Sequence, residues 1–226
     1  MSRIVVVSAH PDDEILGLGG TLIRHRKKGD SILWVIVTDL FEEFGFSHER
    51  IESRKEEINQ VASQLGINKV VHFDYPTMQL SSLDLNQMIP KISAVFNQFQ
   101  PERIYLLNRS DDHSYHRVAF EAVYSCTKSF RYPFIREVFM YECLSETEFA
   151  PPFVERAFIP NCFVDISKEM DEKLALMRIY ESELGEHPFP RSERNIKSLA
   201  SYRGAMSGVE YAEAFQILKS FRFETL

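Results

Sequence analysis

Short aliphatic runs alternate along the chain with longer segments whose apolar residues recur at helical spacing. RIVVVSA (3–9) and SILWVIVTD (31–39) run on without polar interruption, the pattern of strands buried on both faces. KVVHFDY (69–75), ERIYLLN (102–108) and REVFMYECL (136–144) read as three more strands. Between them EILGLGGTLIRHRKKG (14–29) has helical character and closes on Gly29 after a basic last turn. SHERIESRKEEINQVASQLG (47–66) opens on a capping serine and places Ile51, Ile58, Val61, Ala62 and Leu65 on one helical face. Residues 82–100 and 116–130 read as two further helices, the first carrying Pro90 as a kink.

Strand and helix thus alternate through residues 1–144, which predicts a mainly parallel sheet covered by helices. Residues 145–226 change character. A proline-bearing segment precedes helices expected near 167–184 and 192–203, and YAEAFQILKSF (211–221) is compatible with a last helix returning to the body. The whole of 1–226 is expected to be one domain, with 145–226 an extension packed on the core.

Composition narrows the function class. The formal charge of −7 and the absence of a basic stripe argue against a nucleic-acid partner. No apolar run reaches membrane-spanning length, and the opening MSRIVVVSAHPDDE does not read as a signal peptide. Three widely spaced cysteines, Cys126, Cys143 and Cys162, form neither a zinc pair nor a disulfide framework, so a cytoplasmic setting is expected.

Two polar clusters carry the candidate chemistry. The first, AHPDDE (9–14), follows the first strand, and the second, DDHSYH (111–116), follows the fourth. Doubly wound sheets set these two strands side by side and bind ligands beyond their carboxyl ends, so the clusters should converge. Two histidines and a carboxylate are a common ligand set for catalytic zinc, with one position left for water. His10, Asp13 and His116 supply that set, and other divalent metals suit the same residues. Asp12, beside a ligand but aimed elsewhere, suits a general base. His113 suits either oxyanion stabilisation or protonation of a leaving amine.

Each feature also has a plainer reading. Pro11, Asp12, Asp13 and Glu14 are what a helix N-terminus prefers, and DDHSYH alone suits a solvated loop with a cap. Gly17, Gly19 and Gly20 lack the lysine and hydroxyl of a phosphate loop and fit close helix–sheet packing. His25, His48 and His72 are expected at the surface, Arg54 and Glu57 as a solvated helix pair, and Cys126 in the core. Phe41, Phe44 and Phe46 suit loop packing or stacking on a sugar, and Arg191 and Arg203 suit an exposed surface or an anionic group.

On AHPDDE and DDHSYHR the chain resembles the PIG-L/LmbE-like zinc-dependent N-deacetylases. SRKEEINQVASQLGI (53–67) is similar to the Arg-x-x-Glu helix between that family's motifs. The resemblance implies a three-layer, Rossmann-like α/β fold with helices on both faces of the sheet and a C-terminal helical extension. It implies removal of an N-acetyl group from an amino sugar or sugar conjugate, releasing acetate. His10, Asp13 and His116 match the zinc ligands, Asp12 the base, His113 the histidine that stabilises the tetrahedral state or acts as acid, and Arg54 an arginine that approaches substrate. One position departs: the usual aspartate before the last ligand is Tyr115 here, and Asp111 or Asp112 stands nearby to replace it. Two alternatives remain, an amidase on a thiol-sugar conjugate or other amide, and a weakly catalytic binding protein. The partner implied is a small N-acetylated sugar, with homo-oligomerisation left open.

Overall fold

A computed structural model describes residues 1–77 and 85–222. Seven strands form one sheet: β1 (Arg3–Ser8), β2 (Ser31–Asp39), β3 (Lys69–Pro76), β4 (Arg103–Leu107), β5 (Glu137–Tyr141), β6 (Cys162–Asp165) and β7 (Ala212–Ser220). Among the described residues six α-helices accompany them: α1 (Asp13–Lys27), α2 (His48–Gln64), α3 (Leu85–Phe99), α4 (Ser114–Ser125), α5 (Met170–Met177) and α6 (Glu193–Ser207). The first three residues of the helix expected at 82–100 lie outside the described residues.

The strand order is β3-β2-β1-β4-β5-β7-β6. The first five strands pair in parallel, and β7 runs antiparallel to both β5 and β6. Adjacent β1 and β4 mark the point where the strand order reverses, so their carboxyl ends open the crevice in which such sheets bind ligands. The uninterrupted apolar runs of β1 and β2 are buried on both faces, with Ile4 to Val7 and Ile32 to Val37 all close to zero exposure.

Two expectations change. YAEAFQILKSF is strand β7, not a helix. Its apolar residues suit either period, and pairing decides: Phe215 sits opposite Tyr141 on one side and Cys162 on the other. His25 is buried, not surface: its Nδ1 lies 2.8 Å from Asp30 and its Nε2 3.0 Å from the Tyr105 hydroxyl. His48 and His72 are exposed, and Cys126 is a core thiol, as expected.

Helix α1 carries the first polar cluster and is pressed hard onto the sheet. A Cβ at Gly17 would stand 2.2 Å from the Tyr141 ring, and one at Gly20 2.6 Å from Ile166, so close packing is the role of these glycines. The helix breaks at Leu18, where φ is −148°. Glu213 from β7 accepts the Gly20 and Thr21 N–H groups at 2.8 and 2.7 Å, and Lys173 from α5 donates to the Leu16 carbonyl at 2.9 Å. Backbone groups freed by the kink are thereby satisfied, with Lys173 and Glu213 neutralising each other at 2.7 Å.

Candidate active site

The chain leaves β1 and turns into α1 through Ala9, His10, Pro11 and Asp12. Asp13 ties this turn together: its Oδ2 accepts the Ala9 N–H at 2.9 Å and the His10 N–H at 2.8 Å. Its other oxygen faces His116 Nε2 at 3.3 Å and accepts from the Cys143 thiol at 3.4 Å. Burial pushes the Asp13 carboxyl up, but His116 and the donated hydrogen bonds win and hold it well below the usual carboxylate range.

His116 reaches the same point from α4 and is wholly buried. Its Nδ1 lies 2.8 Å from Asp111 Oδ2. Asp111 Oδ1 is in turn held by Asn108 Nδ2 and Thr147 Oγ1, both at 2.6 Å. With Nδ1 spent on Asp111, Nε2 is the nitrogen left to face Asp13, and among the described residues that buried atom has no hydrogen-bond partner. His10 completes the group, and donor atoms of His10, Asp13 and His116 lie within 4.8 Å of one another. Burial drives the His10 imidazole down to about 3, so it is neutral and able to ligate.

These residues fit a divalent cation. Two imidazoles and one carboxylate converge, one imidazole has an orphaned nitrogen, and that imidazole is backed by a buried carboxylate, as metal-bound histidines are. A second grouping, Asp39, His72 and Asp74, is also close enough, but His72 and Asp74 are exposed.

Asp12 and His113 flank this group. Asp12 stands at the N-cap of α1, yet its side chain makes no capping hydrogen bond. Its φ is 133°, a region that costs a residue with a Cβ about 1–3 kcal/mol. Burial, then the neighbouring Asp13, hold its carboxyl well above the usual range. His113 caps α4, its Nδ1 accepting the Tyr115 N–H at 3.3 Å, which leaves Nε2 as the proton-bearing nitrogen. Its ring lies 4.6 Å from that of His10, and burial, then His116, lower it from 6.5.

A cavity of about 450 Å³ opens over the site. His10, Asp12, Asp13 and His113 are in its lining, with Phe46, Arg54 and Arg191. Phe41 and Phe44 instead pack edge to face on each other, centroids 6.3 Å apart. Arg203 is taken up by Glu142 at 2.6 and 2.8 Å and is not in that lining.

Arg54 and Glu57 are not a solvated pair. Both are buried, and Arg54 also bonds Glu183 and, at 2.6 Å, the Pro11 carbonyl. Asp111 serves His116 rather than replacing the aspartate missing at Tyr115; His113 is held by the Tyr115 backbone, and the Tyr115 ring packs 4.6 Å from it. Asp111 stands five residues before His116 in the same cluster, so the signal was present. Glu14, Cys143, Tyr180 and Glu183 gave no comparable signal, because three of them arrive from distant parts of the chain and Glu14 reads as a helix start.

A family profile described as GlcNAc-PI de-N-acetylase (PIG-L) matches residues 5–127. Diacetylchitobiose deacetylase of Thermococcus kodakarensis is 25% identical over 225 residues, covering 96% of this chain and 84% of that protein. Among solved structures, N,N'-diacetylchitobiose deacetylase from Pyrococcus horikoshii superposes with a TM-score of 0.76 at 20% identity, covering 96% of this chain and 84% of that one. The 4-carboxy-2-hydroxymuconate hydratase of Pseudomonas putida superposes at 0.72, also at 20% identity, over all of both chains. At such identities the structural likeness establishes the fold alone, and this fold hosts more than one reaction.

Proposed function

Since the chain belongs to the GlcNAc-PI de-N-acetylase (PIG-L) family, we propose that it is a zinc-dependent hydrolase removing the N-acetyl group from an amino sugar or sugar conjugate. The observation that carries the reading is the gathering of His10, Asp13 and His116 at the floor of a cavity that His10, Asp12, Asp13 and His113 line. The matching deacetylases of acetylated sugars give the substrate class.

His10, Asp13 and His116 would hold the metal, which when bound polarises the acetamide carbonyl and acidifies water. Asp12 takes the proton of the attacking water, a task that a carboxyl held above its usual range performs better than an ordinary aspartate. As water adds to the carbonyl carbon, His113 donates its Nε2–H toward the oxygen that gains charge. The C–N bond then breaks, Asp12 returns the proton to the departing amine, and acetate and a free amine remain. The neutral state of His113 favours the oxyanion role over that of the acid.

The test is an acetate-release assay on N-acetylglucosamine, N,N'-diacetylchitobiose, a nucleotide-linked N-acetyl sugar and a thiol-sugar amide, run with metal analysis of protein purified without added metal. Acetate release that follows metal content supports the reading. A preference in kcat/KM for the thiol-sugar amide would move the assignment to that amidase. Release from none, with metal bound, would overturn it.

A further inference from the structure

The Pro11–Asp12 peptide is gripped at both poles. Its carbonyl oxygen accepts from Arg54 Nη1 at 2.6 Å, and its N–H donates to Glu14 Oε2 at 3.1 Å. Each grip is held in turn. Tyr180 Oη donates to the other Glu14 oxygen at 2.9 Å, and Glu14 and Tyr180 are both wholly buried. Arg54 is fixed by Glu57 in its own helix α2 and by Glu183, which lies beyond α5. Side chains of α1 and α2 therefore hold the two poles of a single peptide plane, and Tyr180 and Glu183, beyond α5, hold those side chains.

The orientation of that plane sets the torsion that follows it, φ of Asp12, which stands at 133°. An aspartate at an N-cap ordinarily has extended backbone and folds its carboxylate back onto the first N–H groups of its helix. Here Asp12 has neither the extended backbone nor the capping bond, and it is among the residues lining the cavity. The same grip engages Arg54, whose guanidinium hydrogen-bonds Pro11 and Glu183 and pairs with Glu57 at 3.0 Å.

We propose that Arg54, Glu14 and Tyr180 form a clamp on the Pro11–Asp12 peptide that holds Asp12 out of its capping position and aims its carboxylate into the cavity. Arg54, which is also in the cavity lining, is then a positioning residue acting through Asp12. The catalytic half of this inference rests on Asp12 as the base in the reaction proposed above; the conformational half does not. A purely structural role is the competing account. Against it, the Arg54 and Glu14 contacts close on the one peptide that precedes the strained residue, and Tyr180 holds Glu14 there.

The test compares Glu14→Met, Glu14→Gln, Tyr180→Phe and Arg54→Lys as full-length, metal-loaded proteins, with N-acetylglucosamine and N,N'-diacetylchitobiose as probes. Glu14→Met loses the acceptor for the Asp12 N–H. Its kcat is expected to fall by about 10- to 100-fold with KM within about twofold and metal content unchanged. Glu14→Gln keeps an acceptor oxygen and should return most of the lost kcat. Combined with Asp12→Asn, Glu14→Met should cost nothing further, because the group it positions is already gone. A crystal structure of Glu14→Met should show Asp12 relaxed to negative φ with its carboxylate capping α1. Should Glu14→Met not fold, Tyr180→Phe, which removes one hydroxyl, carries the same readouts.

Asp12 remaining near φ 133° in the variant crystal would overturn the clamp, as would losses that multiply with Asp12→Asn. A raised KM at unchanged kcat in Arg54→Lys would return Arg54 to substrate binding. If the wild-type protein releases no acetate from either probe, the hydrolase reading is what fails, and the variant crystal structure still decides the clamp.

Discussion

Asp111 Oδ2 lies 2.8 Å from His116 Nδ1, and both side chains are wholly buried. This contact fixes the imidazole so that its remaining nitrogen faces Asp13 with no other partner. Asp111 receives three donors on its two oxygens, from Asn108, Thr147 and His116. An amide at this position offers one accepting oxygen and must present a donor to the remaining partner. Asp111→Asn is therefore expected to weaken metal affinity by about 10- to 100-fold. Competition with a chromophoric chelator measures it; wild-type affinity in the variant would remove Asp111 from any part in metal binding.

Asp12 is expected to act on the reaction without holding the metal. Asp12→Asn keeps the size of the side chain and abolishes its basicity. Turnover should fall by about 10²- to 10⁴-fold while metal content stays at the wild-type level. Parallel metal analysis and kcat determination check both halves. Loss of metal together with activity would make Asp12 a ligand, and unchanged turnover would leave the reaction without the base assigned to it.

Tyr115 occupies the place where the family's second motif usually carries an aspartate, yet His113 takes its orientation from the Tyr115 backbone N–H at 3.3 Å. The phenol is not needed for that bond. Tyr115→Phe should hold kcat within about threefold of wild type, whereas His113→Ala should cost about 10²- to 10³-fold, the scale seen when an oxyanion donor is removed. Rate measurements on the two variants side by side settle the point. A large loss in Tyr115→Phe would mean that the hydroxyl, rather than the backbone, supports His113.

The alternation of strand and helix through β5 was legible because buried parallel strands need uninterrupted apolar runs, and these stand out against amphipathic helices. The meeting of His10 and His116 was legible too, since a reversal of strand order between β1 and β4 brings their carboxyl ends together. β7 was not, because Ala212, Ala214, Phe215, Ile217 and Leu218 satisfy a helical spacing as well as a strand, and only partners Phe139, Tyr141 and Cys162 choose between them. The grip on the Pro11–Asp12 peptide was equally hidden. Arg54 and Glu57 have the spacing of any exposed helix pair, and nothing local announces that Glu183 and the Pro11 carbonyl draw Arg54 inward.

His25 gives a pH prediction at a distance from the proposed metal. Burial lowers its imidazole from the ordinary 6.5, more than Asp30 at 2.8 Å raises it. A histidine whose folded value is depressed stays neutral in the native state while the unfolded chain takes up a proton. The unfolded state then binds more protons below pH 6.5, so stability is full above that value and declines as the pH falls through the folded one. Asp30 is lowered from 3.8; burial opposes this, and the Ser2 N–H and His25 outweigh it. Its own contribution is lost only below 3.8, so the window from 6.5 down to 3.8 isolates His25 from Asp30. His25→Gln cannot titrate there. Chemical denaturation across that window should show a shallower fall in unfolding free energy for His25→Gln than for wild type. The comparison is best made in parallel on metal-free and metal-loaded protein, so that titration of His10 and His116 is read separately. Equal slopes for the two proteins would mean that His25 is as readily protonated in the folded chain as in the unfolded one.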